Sequence, residues 1–151
     1  MKGRGLRLRA GHRLLLYAVA FSLLVSGGAW AWANRLDRAG QASASLRQLK
    51  TGLMKVHGFS AMVFVLLLGT LLPGHVRRAW HARKNRGNGA FFLTVVSVLT
   101  LSGYLLYYLG DEDWRNAASN FHLWLGLAAP VLLLWHIRSG RRAAIGPSRP
   151  A

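Results

Sequence analysis

Residues 121–137 read FHLWLGLAAPVLLLWHI, an apolar run whose only ionisable side chains are a histidine near each end. An α-helix rises about 1.5 Å per residue, and about 20 residues cross the hydrocarbon core of a bilayer. Three further runs are predominantly apolar over a similar length, at residues 13–32, 53–72 and 90–109. The sequence therefore predicts four transmembrane helices in a single membrane domain, residues 1–151.

The composition supports the same class of protein. Apolar residues make up 52% of the chain and charged residues only 16%, whereas a soluble domain usually carries about a quarter of its residues as charge. Lipid offers the backbone no hydrogen-bond partners, so a spanning segment satisfies its own peptide groups as a helix. We expect an all-α, integral membrane four-helix bundle with up-down-up-down topology, in contact with membrane lipid.

The distribution of charge predicts an orientation. Basic residues gather in the N-terminal tail, in the loop between the second and third runs, and in the C-terminal tail. The other two connections contain all of the acidic residues, which are Asp37, Asp111, Glu112 and Asp113. Because cytoplasmic segments are enriched in Lys and Arg, both termini should be cytoplasmic. We call the end of the bundle with the acidic connections the outer end, and the opposite end the inner end.

The net charge of +16 also raises the question of nucleic-acid binding, since clustered bases neutralise phosphates. These bases lie against the predicted spans, where topology and anionic lipid headgroups account for them. We therefore expect no nucleic-acid partner. The chain has no cysteine, which excludes disulfides, iron–sulfur clusters and thiolate ligation of haem.

An internal repeat relates the two halves of the chain. Residues 22–32 (SLLVSGGAWAW) resemble residues 98–108 (VLTLSGYLLYY), with Ser26-Gly27 over Ser102-Gly103. In each half the following apolar run begins with a histidine and closes with a histidine, an aliphatic residue and an arginine. The protein is therefore predicted to consist of two related helical hairpins.

Four histidines occupy matched positions on the second and fourth spans. His57 and His122 lie toward the outer end, and His75 and His136 lie at the inner end. At about 100° per residue, the step from His122 to His136 returns within about 40° of the same face and climbs about 21 Å. The step from His57 to His75 returns to the same face and climbs about 27 Å.

The two spans run in the same direction, so their histidines should meet in pairs at two depths. A haem iron takes two axial ligands from opposite faces of the porphyrin, and facing helices can deliver one imidazole each. This predicts one outer site, His57 with His122, and one inner site, His75 with His136. Small residues on these spans, together with the Ser-Gly pairs of the neighbouring helices, would admit the macrocycle. Zinc fits poorly, because ligands about 21 Å apart on one helix cannot share an ion.

The stretch from His57 to Arg142 resembles the membrane cytochrome b group of bacteria, which are four-helix, dihaem, b-type subunits of quinone-linked oxidoreductases. The segments that carry the resemblance are KVHGFSAMVF at 55–64, TLSGYLLYY at 100–108, NFHLWLGLAA at 120–129 and LLLWHIRSGRR at 132–142. The resemblance implies two haem b groups, electron transfer between a quinone or quinol and a partner redox protein, and a bacterial inner membrane. It implies an electron-transfer subunit rather than a stand-alone enzyme.

The sequence leaves two candidates for the second inner ligand. Some members of this group take the second inner ligand from the start of the first span, where His12 stands in AGHRLLLYA, and others take it from the second span. His75 suits the repeat, but Pro73-Gly74 interrupts the helix just before it. The alternative function is a haem-free accessory or scaffolding subunit whose histidines lie at the membrane interface.

Overall fold

The computed structural model describes residues 10–41, 43–83 and 85–145, and in these ranges the chain is helical with short connections and no strand. The helices are α1 (Ala10–Arg38), α2 (Ala44–Leu71), α3 (Arg77–His81), α4 (Arg86–Leu105) and α5 (Glu112–Ile145). A π-helical turn, Leu72–Val76, joins α2 to α3. The all-α four-helix architecture predicted from the sequence is confirmed.

Four helical segments are long and apolar enough to cross a membrane. They are Ala10–Arg38, Ala44–His81, Arg86–Leu105 and Glu112–Arg142. Each overlaps one predicted run, but three of them extend beyond it at both ends, because a helix continues into polar sequence where hydropathy has already fallen. The third begins earlier than predicted and ends at Leu105, since residues 106–108 close as a turn in which Tyr108 N–H bonds Leu105 O at 2.9 Å.

The helices pack as two hairpins. Contacts are concentrated between α1 and α2 and between α4 and α5, and α1 also contacts α5 across the two hairpins. The helices α2 and α5, which carry His57, His122 and His136, do not pack closely along their length in the described part of the chain.

The buried interior is small and partly polar. Buried apolar residues are Leu16, Ala33, Val95 and Val96, and buried polar residues are Ser26, Ser60 and Ser102. Most large apolar side chains lie on the outside of the bundle, where lipid would solvate them. Ser60 bonds the Ser22 hydroxyl at 2.8 Å and so joins α1 to α2.

Polar contacts fix the outer connections. Ser43 caps α2 by accepting from Leu46 N–H at 3.1 Å. Lys50 pairs with Asp37 at 2.6 Å and donates to Asn34 at 2.8 Å, so it ties α2 to α1. Arg38 donates to Asn116 at 3.1 Å and connects the two hairpins at the same end.

The predicted interruption before His75 takes the form of a π-helical turn rather than a break. Pro73 has no N–H to offer the preceding turn, so α-helical bonding stops at Leu71. The chain widens for one turn, with Arg77 N–H bonding Leu72 O, and then resumes as α3. Because the turn contains His75, the face this histidine presents differs from that of an uninterrupted helix.

Candidate functional site

The outer histidines meet between the hairpins. His57 on α2 and His122 on α5 have ring centroids 6.2 Å apart, with the ring planes inclined at 75°. Both rings are partly buried. The structure thus brings together the two residues that the sequence assigns to the outer level.

The hydrogen bonds of His57 define its tautomer. Its Nδ1 lies 3.2 Å from Leu23 O and 3.1 Å from Ser26 Oγ. A carbonyl oxygen can only accept, and the Ser26 hydroxyl already donates to Ser22 O at 2.6 Å. Nδ1 therefore carries the proton, and the lone pair lies on Nε2.

The hydrogen bonds of His122 repeat this arrangement in the second hairpin. Its Nδ1 lies 2.8 Å from Ser102 Oγ. The Ser102 hydroxyl donates to Leu99 O at 3.1 Å, so toward the histidine it is an acceptor. His122 consequently has the same tautomer as His57, and the matched Ser-Gly pairs of the repeat make matched contacts.

A glycine lies against each outer imidazole. A Cβ atom added at Gly27 would lie 3.0 Å from Cε1 of His57, and one added at Gly103 would lie 3.2 Å from Cε1 of His122. The adjacent Gly28 has nothing within 4 Å of its equivalent position. The glycine of each Ser-Gly pair therefore allows the ring to approach the backbone of the neighbouring helix.

His136 has a comparable environment at the inner end. Its Nδ1 lies 2.8 Å from Oδ1 of Asn88, an amide oxygen that accepts. Phe92 stacks on the ring, with centroids 5.1 Å apart and planes inclined at 16°. His75 lies in the π-helical turn at the same end of the bundle, within range of charge–charge repulsion with His136.

His12 lies at the inner end as well. Its Nε2 is 3.4 Å from the hydroxyl oxygen of Thr70, a residue near the end of α2. The inner end thus gathers His12 and His75 on the first hairpin and His136 on the second. His75 has the interaction with His136, whereas the hydrogen bond of His12 is to a residue of its own hairpin.

The outer pair fits two axial ligands of one haem iron. With metal–imidazole bonds of about 2 Å and a ring radius of about 1.1 Å, two imidazoles on opposite sides of an iron have centroids about 6 Å apart. The observed separation is 6.2 Å. A ligating histidine also normally donates its second ring N–H to a protein acceptor, as His57 and His122 do here.

Other metal sites have less support among the residues that the structure describes. No group of three or more His, Cys, Asp or Glu side chains is placed to hold a metal ion there. Structural zinc takes four protein ligands and catalytic zinc takes three, whereas a bis-histidine haem takes two from the protein.

Sequence reasoning missed the partners of the rings. It treated Ser26 and Ser102 only as small residues, and it did not single out Asn88 or Phe92. A signal was present, because Asn88-Gly89 precedes Ser102-Gly103 by 14 residues, the same spacing that separates His122 from His136. Ser26, Ser102 and Asn88, which bond His57, His122 and His136, are thus each followed by a glycine in the sequence.

Comparisons with protein-family models, curated proteins and solved structures give no match to this chain. The resemblance to the membrane cytochrome b group therefore depends on the histidine-bearing segments themselves. The chemistry of the site depends on the distances and hydrogen bonds described above.

Proposed function

We propose that this protein is a transmembrane b-type cytochrome that carries two bis-histidine haems. His57 and His122 would hold the outer haem, and His136 with His75 would hold the inner one, His12 being the alternative to His75. When bound, each haem iron would alternate between ferric and ferrous states and so carry one electron at a time. The protein would serve a quinone-linked oxidoreductase of a bacterial inner membrane as its electron-transfer subunit.

One observation carries the proposal. The ring centroids of two imidazoles from different hairpins lie 6.2 Å apart, and the Nδ1 atom of each is within hydrogen-bonding distance of a polar group on the other helix of its own hairpin. In the described residues no hydrogen bond uses Nε2 of either ring. Matched attachment through Nδ1 at a matched depth, with Nε2 left without a hydrogen bond among the described residues, is the arrangement that a bis-histidine iron site requires.

The two levels would form a path across the bilayer. His122 and His136 lie on one continuous helix, and 14 residues of helix correspond to about 21 Å. The chain's own contribution is to hold the four rings, to exclude water from them with apolar helices, and to fix their depth. Electrons would pass between a quinone pool and a partner redox protein.

Spectroscopy and haem analysis of the purified protein test the proposal. We expect a b-type α-band in the reduced-minus-oxidised spectrum and two haem b per chain. His122→Ala and His136→Ala should each lower the haem content from two to one, because each removes one ligand of a different site.

His81→Ala is the matched control, since His81 is the exposed last residue of α3 at the inner end. It should retain both haems. Purified protein without haem or iron would contradict the proposal and favour the haem-free accessory subunit. Haem content unchanged by both ligand variants would contradict the assignment of the ligands.

A further inference from the structure

Three histidines are each bonded to a polar residue that a glycine follows directly. The sets are Ser26-Gly27 with His57, Ser102-Gly103 with His122, and Asn88-Gly89 with His136. In all three sets the polar residue bonds Nδ1 of the histidine. A Cβ atom added at the glycine would lie within 4.0 Å of Cε1 of the same ring. The three histidines therefore share one mode of attachment to a neighbouring helix.

The acceptors differ chemically between the two levels. At the outer level the acceptor is a serine hydroxyl whose own hydrogen is donated to the preceding turn of its helix. At the inner level it is the amide oxygen of Asn88, whose Nδ2 is buried and has no hydrogen-bond partner within the described ranges. Both α4 acceptors are side chains, so each can be changed without altering the backbone that supports the ring.

We propose that Ser102 and Asn88 are positioning residues, an inference that rests on the proposed function. Each would set the reduction potential of one haem through the histidine that it holds. An acceptor on Nδ1–H increases the electron density at Nε2 and thereby favours the ferric iron. Ser102 acts on the outer haem through His122, and Asn88 acts on the inner haem through His136. The difference in reduction potential between the two haems thus depends partly on these two residues of α4.

Potentiometric titration of the haem-loaded protein tests this inference. Ser102→Ala should raise the midpoint potential of the outer haem and leave that of the inner haem unchanged. Asn88→Leu should raise the midpoint potential of the inner haem only. Each variant should also weaken the retention of its own haem, by roughly tenfold, which is the low end of the usual effect of removing a second-sphere partner.

Asn88→Asp distinguishes tuning from packing. It keeps the shape of the side chain and supplies a stronger acceptor, so the midpoint potential of the inner haem should fall below that of the wild type. A purely structural role would give a shift of the same sign for Leu and Asp, or none. Ser60→Ala is the control, because Ser60 is a buried serine that bonds Ser22 and no histidine.

The outcomes separate this inference from the proposed function. Protein that contains two haems with midpoint potentials unchanged in Ser102→Ala and Asn88→Leu would overturn the inference and leave the cytochrome intact. A variant that shifts both potentials equally would also overturn it. Wild-type protein without haem would overturn the proposed function itself.

Discussion

A serine hydroxyl in a helix usually donates to the carbonyl of the preceding turn, and it can then offer only its lone pairs to a neighbouring side chain. Ser26 and Ser102 do this in the two hairpins, with donor contacts of 2.6 Å and 3.1 Å. Two short polar residues, together with the Leu23 carbonyl beside His57, thus orient two imidazoles inside an apolar bundle. The proposed haem site depends on this local chemistry as well as on the histidines.

The glycine beside each outer ring is open to a direct test. Gly27→Ala would place a methyl group 3.0 Å from Cε1 of His57, so the ring must move by a few tenths of an ångström. We expect the outer haem to be retained roughly tenfold less tightly, in line with the usual cost of disturbing the surroundings of a ligand. Haem content after dilution into haem-free detergent measures the change.

Gly28→Ala is the control for this substitution. It raises the helix propensity of α1 by the same amount, but the added methyl group would have no atom within 4 Å. It should leave both haems in place. Equal haem loss in the two variants would indicate a general effect on α1, and no loss in either would contradict the contact.

At the scale of the element, the runs of apolar sequence predicted each spanning helix but not its ends. Hydropathy indicates which residues lie in lipid, whereas a helix ends where its backbone hydrogen bonds end. For example, α5 begins at Glu112, well before its apolar run. The pairing of His57 with His122 followed from helix direction and depth. The partners Asn88 and Phe92 did not, because they depend on how α4 rotates against α5.

The π-helical turn is the element least accessible to sequence reasoning and the one that orients His75. Pro73→Ala restores a backbone N–H, so α-helical bonding can continue and His75 should rotate by about one residue, or about 100°. We expect loss of the inner haem spectrum with the outer one unchanged. Pro130→Ala is the matched control, since Pro130 lies in α5 without a π turn.

The same experiment decides between the two candidate inner ligands. If His75 is the ligand, Pro73→Ala and His75→Ala should both empty the inner site, and His12→Ala should not. An inner haem that survives Pro73→Ala but is lost in His12→Ala would assign the ligand to the first span instead.

At the scale of the whole molecule, the two hairpins are similar at the outer end of the bundle and differ at the inner end. The outer level is nearly symmetric, with a Ser-Gly pair and a histidine from each hairpin. The inner level is asymmetric, with Asn88 and Phe92 on the second hairpin and a π turn on the first. The repeated sequence predicts the symmetric outer level, and the contacts that distinguish the inner histidines from the outer ones arise where the two halves of the sequence differ.

The orientation of the bundle gives a final prediction. The chain has no cysteine, so single cysteines can be placed at the exposed residues Gln41, in the outer connection, and Ala82, in the inner one. Translocating a loop rich in Lys and Arg is unfavourable, so the inner connection with Arg78, Arg83 and Arg86 should stay in the cytoplasm. Arg13 near the N-terminus and Arg138, Arg141 and Arg142 near the C-terminus support the same orientation, and the remaining terminal bases lie outside the described residues.

A membrane-impermeant maleimide added to spheroplasts should therefore label Gln41→Cys at once and Ala82→Cys only after the membrane is disrupted. The opposite pattern would place the haem proposed at His57 and His122 on the cytoplasmic side. Labelling of both positions in intact spheroplasts would contradict an odd number of crossings between them. Since α2 and α3 form one rod between Gln41 and Ala82, such labelling would also argue that this rod lies on the membrane rather than across it.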